Sequence, residues 1–135
     1  MAPEIVKYNG EEEYTEKVDC FSFGMLIYEL LTLHQPFVGY ETVKELILEG
    51  GRPPLSPREL IYPTYVLDLM VVCWAQQPRE RPSASQIVSI ASAPEFLRSV
   101  ILITAIYKYK NVILYDSSLL SILYISYSCF NFQTC

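Results

Sequence analysis

The stretch Thr15-Glu16-Lys17-Val18-Asp19-Cys20-Phe21-Ser22-Phe23-Gly24-Met25-Leu26-Ile27-Tyr28-Glu29-Leu30-Leu31-Thr32-Leu33 decides how this chain folds. Val18, Phe21, Met25, Leu26, Ile27, Leu30, Leu31 and Leu33 place apolar side chains on every side of a helix. A helix that is apolar all round is expected in the middle of an assembly. Asp19 and Glu29 interrupt it as a membrane span. Downstream, Gln35-Pro36-Phe37-Val38-Gly39-Tyr40 breaks the helix. A shorter one follows over Glu41–Glu49, with Val43, Leu46 and Ile47 on one face and Gly50-Gly51 as the stop. Arg52-Pro53-Pro54-Leu55-Ser56-Pro57 is an irregular connector. Pro63 to Trp74 reads as a fourth helix, with Leu67, Leu69, Met70 and Val71 apolar. A fifth begins after Arg81-Pro82, with Ser83 as N-cap and Ile87, Val88 and Ile90 facing inward. Upstream, Pro3 opens a short helix, because its missing N–H has no partner to lose in a first turn. The acidic loop Asn9-Gly10-Glu11-Glu12-Glu13 separates the two. The fold class is mainly α.

Composition narrows the function. In 135 residues there is room for one domain. Ten Lys+Arg against fifteen Asp+Glu give a net charge of −5, which argues against nucleic-acid binding. Hydrophobic residues make up 51%, too many for a disordered chain. Cys20, Cys73, Cys129 and Cys135 form no C-x-x-C pair, which speaks against a zinc site or disulfide framework and for a reducing, cytoplasmic setting. All nine prolines and five glycines lie at or before Pro94. The chain is therefore divided near residue 96, into a domain over 1–96 and an apolar tail over 97–135.

Three motifs stand in order: Ala2-Pro3-Glu4, then Asp19-Cys20-Phe21-Ser22-Phe23-Gly24, then Cys73-Trp74 with Pro78, Arg79, Arg81 and Pro82. Each alone is weak. Glu4 by itself is equally a solvated acid in a first helical turn, Asp19 one more surface acid, and Arg81 a surface charge. Together and in order, they resemble the second half of the protein-kinase catalytic domain, from the end of the activation segment through the C-terminal lobe. Lys7–Asp19, Ile47–Pro53, Tyr62–Tyr65 and Arg81–Phe96 narrow this to the tyrosine-kinase-like branch, and within it to the leucine-rich-repeat kinases of the Roco family, especially invertebrate ones. The resemblance covers 1–96 and implies a partial C-lobe.

It also implies roles. Glu4 would pair with Arg81 and tether the activation segment to the lobe. Asp19 would accept hydrogen bonds from the catalytic loop's backbone, and Trp74 would anchor the core between the last helices. The parent kinase would use ATP and magnesium and act on protein Ser/Thr hydroxyls. Its partners would be the rest of the kinase domain, substrates and regulators, the last docking around Glu41–Glu49.

No catalytic, nucleotide-binding or metal residue of that family is expected here. The glycine-rich loop, strand lysine, H-R-D loop and D-F-G aspartate are not in these 135 residues. His34 precedes Gln35-Pro36, so it is not the catalytic loop; Gly50-Gly51 is a helix stop; Asp19-Cys20-Phe21 is only superficially like D-F-G. With Met1 directly before Ala2-Pro3-Glu4, the expectation is a truncated gene product, inactive alone, whose central helix exposes an apolar strip. For the tail, a membrane anchor over Asn111–Phe130 competes with a translated non-coding stretch. Asp116 inside the segment weighs against the anchor.

Overall fold

The computed structural model describes residues 1–9, 15–57 and 59–109. Its helices are α1 (Pro3–Tyr8), α2 (Lys17–Thr32), α3 (Val43–Leu48), α4 (Thr64–Cys73), α5 (Ala84–Ala91) and α6 (Pro94–Tyr109), with one 3-10 turn at Pro78–Glu80. There is no strand among the described residues. The contacts divide the chain into two compact units, Met1–Ser83 and Ala84 onward.

In the first unit, α2 packs along α4, and α1 packs against α3. The two long helices come together at Gly24. A Cβ there would lie 3.0 Å from the backbone O of Met70, 3.0 Å from the backbone N of Trp74 and 3.1 Å from the Cβ of Cys73. Glycine at this crossing lets one helix rest on the backbone of the other. Phe21 and Met70 are 0% exposed, and Cys20, Ile27, Leu31, Val66, Leu69 and Cys73 complete the buried surface. Full burial of each large apolar side chain contributes roughly 1.5–3 kcal/mol.

The apolar residues that surround α2 are not equally buried. Cys20, Phe21, Gly24, Ile27, Tyr28, Leu31 and Thr32 form one buried face. Val18, Phe23, Met25, Leu26 and Leu30 are half-buried, and Leu33 is exposed. α4 lies along α2, and the 3-10 turn Pro78–Glu80 packs against it as well. The ends of α2 follow local chemistry. Leu33 takes the left-handed conformation at φ 58°, and its N–H donates to the Glu29 carbonyl at 2.8 Å. The Thr32 hydroxyl accepts from the His34 N–H at 3.2 Å. α3 ends, as its sequence requires, at Gly50, φ +89°.

In the second unit, α5 buries Ile87, while Val88 and Ile90 are half-buried. α6 packs against α5 and carries a buried stripe of Phe96, Ser99 and Ile103 at helical spacing. It runs without a break through the division drawn at residue 96. No single described helix is long and apolar enough to cross a membrane, and the segments Pro78–Ala91 and Pro94–Ile103 pass such a test only taken together across a bend. The anchor considered over Asn111–Phe130, and Gly10–Glu13 of the acidic loop, lie outside the described residues.

Candidate functional site

Arg81 follows the 3-10 turn Pro78–Glu80, whose Pro78 carbonyl accepts the Arg81 N–H at 3.1 Å. That turn points the side chain inward, where the guanidinium is fully buried. A buried cation needs all its donors satisfied, and this one has five. Nη1 donates to Glu4 Oε1 at 2.7 Å and to the Lys17 carbonyl at 2.8 Å. Nη2 donates to Glu4 Oε2 at 2.9 Å and to the Gln76 carbonyl at 3.3 Å. Nε donates to the Ala75 carbonyl at 2.9 Å.

Glu4 reaches this site from the first turn of α1, where Pro3 occupies the opening position. Its two oxygens meet the guanidinium as a fork, across 77 positions of sequence. Burial pushes the Glu4 carboxyl up. The hydrogen bonds and charge of Arg81 outweigh this and hold it below the usual glutamate value.

The floor of the site is Phe21. The guanidinium carbons of Arg81 and of Arg52 each stand 5.0 Å from its ring centroid, within cation–π range. Lys17 Nζ donates to the Arg81 carbonyl at 2.8 Å, and Cys20 Sγ donates to the Pro82 carbonyl at 3.2 Å. The start of α2 thus holds the backbone at Arg81 and at Pro82.

Trp74, at the end of α4, is buried and sits with its ring 6.0 Å from that of Tyr28, inclined at 39°. Its neighbour is therefore the central helix α2. Asp19 lies apart from the site, exposed in the first turn of α2, where a negative charge suits the helix dipole. Sequence reasoning gave Arg52 no role, and read Phe21 as an apolar residue of the long helix and Gly24 only as part of a motif. The glycine within an apolar helix was the available signal for a close crossing. Arg52 bonds to backbone carbonyls and one amide, which leave no pattern in the sequence.

The arrangement joins the start of α1, the start of α2 and the chain after α4 through one buried guanidinium. Burial pushes the Cys73 thiol up to about 12 and raises that of Cys20, so neither is poised as a nucleophile. No group of three His, Cys, Asp or Glu that could hold a metal ion exists among the described residues.

Comparison with known proteins identifies the family. Residues 1–91 match the profile of protein tyrosine and serine/threonine kinases. The chain is 64% identical over 96 residues to leucine-rich repeat serine/threonine-protein kinase 1 of Caenorhabditis elegans, covering 71% of this chain and 4% of that protein. It is 41% identical over 99 residues to the Mus musculus protein of the same name, covering 71% and 5%. It is 40% identical over 93 residues to mitogen-activated protein kinase kinase kinase 7 of Drosophila melanogaster, covering 67% and 13%. The chain thus spans a small part of the length of the curated relatives it matches. It belongs to the protein tyrosine and serine/threonine kinase family, as a stretch of the helical C-terminal lobe of the kinase domain.

Proposed function

We propose that residues 1–96 are the scaffold portion of a serine/threonine kinase's C-terminal lobe. Glu4 and Arg81 tie the segment entering the chain to the helices behind it. The forked, buried bond between them carries this reading. In a full kinase domain, such a tether holds the end of the activation segment so that a protein substrate meets the reaction centre in one geometry. The domain's activity is then transfer of the ATP γ-phosphate to protein Ser/Thr hydroxyls. Asp19, exposed and in a first helical turn, is left free to receive a catalytic-loop backbone that these 135 residues do not contain. Trp74 braces the lobe by packing on Tyr28. The chain beyond residue 96 continues α6 as far as Tyr109. Cys20 and Cys73, both unpaired, suit a reducing, cytoplasmic setting.

A second reading, a non-catalytic docking surface beside α3, is favoured by Val38, Tyr40 and Leu48, which are 69%, 50% and 41% exposed. One pair of measurements on the 135-residue chain tests the first reading. Calorimetric titration with Mg-ATP is expected to show no binding at micromolar concentrations. Limited proteolysis is expected to cut before Lys17 much faster in Arg81→Ala than in the unaltered chain. Micromolar Mg-ATP binding, or equal cleavage rates, would contradict it.

A further inference from the structure

The chain leaving α4 turns three consecutive carbonyls, those of Trp74, Ala75 and Gln76, toward two arginines. A helix C-terminus ends in carbonyls without partners and a partial negative charge, so cations belong there. Arg52 takes the first carbonyl with both Nε and Nη2, at 2.8 and 2.6 Å. Arg81 takes the next two, at 2.9 and 3.3 Å. The two guanidiniums also share the ring of Phe21.

The side chain of Gln76 extends this arrangement to α3. Its Oε1 accepts from Arg52 Nη2 at 2.8 Å. Its Nε2 donates to the carbonyls of Ile47 and Leu48 at 3.2 and 3.1 Å, at the end of α3. Arg52 Nη1 holds the Gly51 carbonyl at 2.7 Å, just past that helix. Direct bonds therefore run from the last turn of α3 through Gln76 and Arg52 to the Trp74–Gln76 backbone, and from there through Arg81 to Glu4. The Glu4 carboxylate meets Arg81, whereas the acceptors given for Arg52 are all neutral.

The geometry points to Arg52 as a second positioning residue. It sets the Trp74–Gln76 backbone so that Arg81 meets Glu4 as a fork, and through Gln76 it couples the last turn of α3 to α1. The inference rests on the reading of Glu4 and Arg81 as a tether. It depends on the planar fork and not on charge alone, since two N–H groups of one guanidinium converge on one carbonyl while a third atom holds Gly51. An ammonium group has no such fixed fork.

Arg52→Lys separates the two, because it keeps the charge and removes the fork. The measurements, on the 135-residue chain, are amide hydrogen exchange by mass spectrometry and the NMR titration of the Glu4 carboxyl. In Arg52→Lys, exchange is expected to rise about tenfold in both Glu45–Gly51 and Ile5–Tyr8. Glu4 is expected to titrate nearer an ordinary glutamate. Glu4→Gln is expected to accelerate Ile5–Tyr8 and leave Glu45–Gly51 unchanged. Arg52→Lys with Ile5–Tyr8 and the Glu4 titration unmoved, beside a Glu4→Gln that does loosen Ile5–Tyr8, overturns the role of Arg52 alone. A Glu4→Gln that leaves Ile5–Tyr8 unmoved overturns the tether itself. If Arg52→Lys unfolds the whole chain, Gln76→Met replaces it, removing only the amide bridge, and the same outcomes decide.

Discussion

Lys17 and Arg81 exchange hydrogen bonds although both are cations: Lys17 Nζ donates to the Arg81 carbonyl, and Arg81 Nη1 donates to the Lys17 carbonyl, each at 2.8 Å. Each charge is directed at the other residue's backbone, and the carboxylate of Glu4 sits on the same guanidinium. This clasp joins the start of α2 to the 3-10 turn. Lys17→Met keeps the aliphatic stem and removes one of the two bonds. It is expected to cost about 1 kcal/mol, because the ammonium group is part-exposed. Thermal unfolding of the variant reads this directly.

Gly24 gives a prediction with two opposing magnitudes. Alanine in a helix gains about 1 kcal/mol over glycine. Here the new methyl presses on the backbone of Met70 and Trp74 at 3.0 Å, and overpacking costs about 1–3 kcal/mol. Gly24→Ala is thus expected to be neutral to mildly destabilising, and Gly24→Val to lower the unfolding midpoint sharply. A Gly24→Val chain as stable as the original would mean α2 and α4 do not cross here.

Phe21 separates apolar burial from ring chemistry. Phe21→Ala is expected to cost about 3–5 kcal/mol as a cavity. Phe21→Leu refills much of the volume but removes the surface under both arginines. It is expected to cost about 1–2 kcal/mol, and to leave the region before Lys17 more open to protease.

Stability is expected to fall at both ends of the pH scale. The folded value of Glu4 is depressed from 4.5, so its contribution is complete above 4.5 and lost as pH falls through the folded value. The folded value of Cys73 is raised from 9.0 to about 12, so its contribution is complete below 9.0 and lost as pH climbs toward 12. Burial raises Cys20 and Tyr28 as well, and they steepen the alkaline limb. Denaturant midpoints measured across pH should flatten on the acid side in Glu4→Gln and lose part of the alkaline slope in Cys73→Ala.

How much of this was legible differs by element. Five helices were readable because apolar spacing, Pro3, Pro63, Pro82 and Gly50 mark them locally. Glu4 and Arg81 were legible only through their motifs, since nothing local distinguishes a buried charge from a solvated one. α6 was missed: its sequence carries Leu97, Ile101 and Leu102 on the outside, so the apolar pattern that flags one buried face is blurred. The composition of α2, apolar on every side, does not say which face is buried; that is set by α4, the long helix lying along it.

The central claim is that Glu4 and Arg81 act as one unit. A double-mutant cycle of Glu4→Gln, Arg81→Met and their combination, read by chemical denaturation, tests it most directly. Each single change strands a partner and is expected to cost about 3 kcal/mol, with the double variant costing little more than either. Costs that simply add would show that the two side chains do not depend on each other, and would contradict the account.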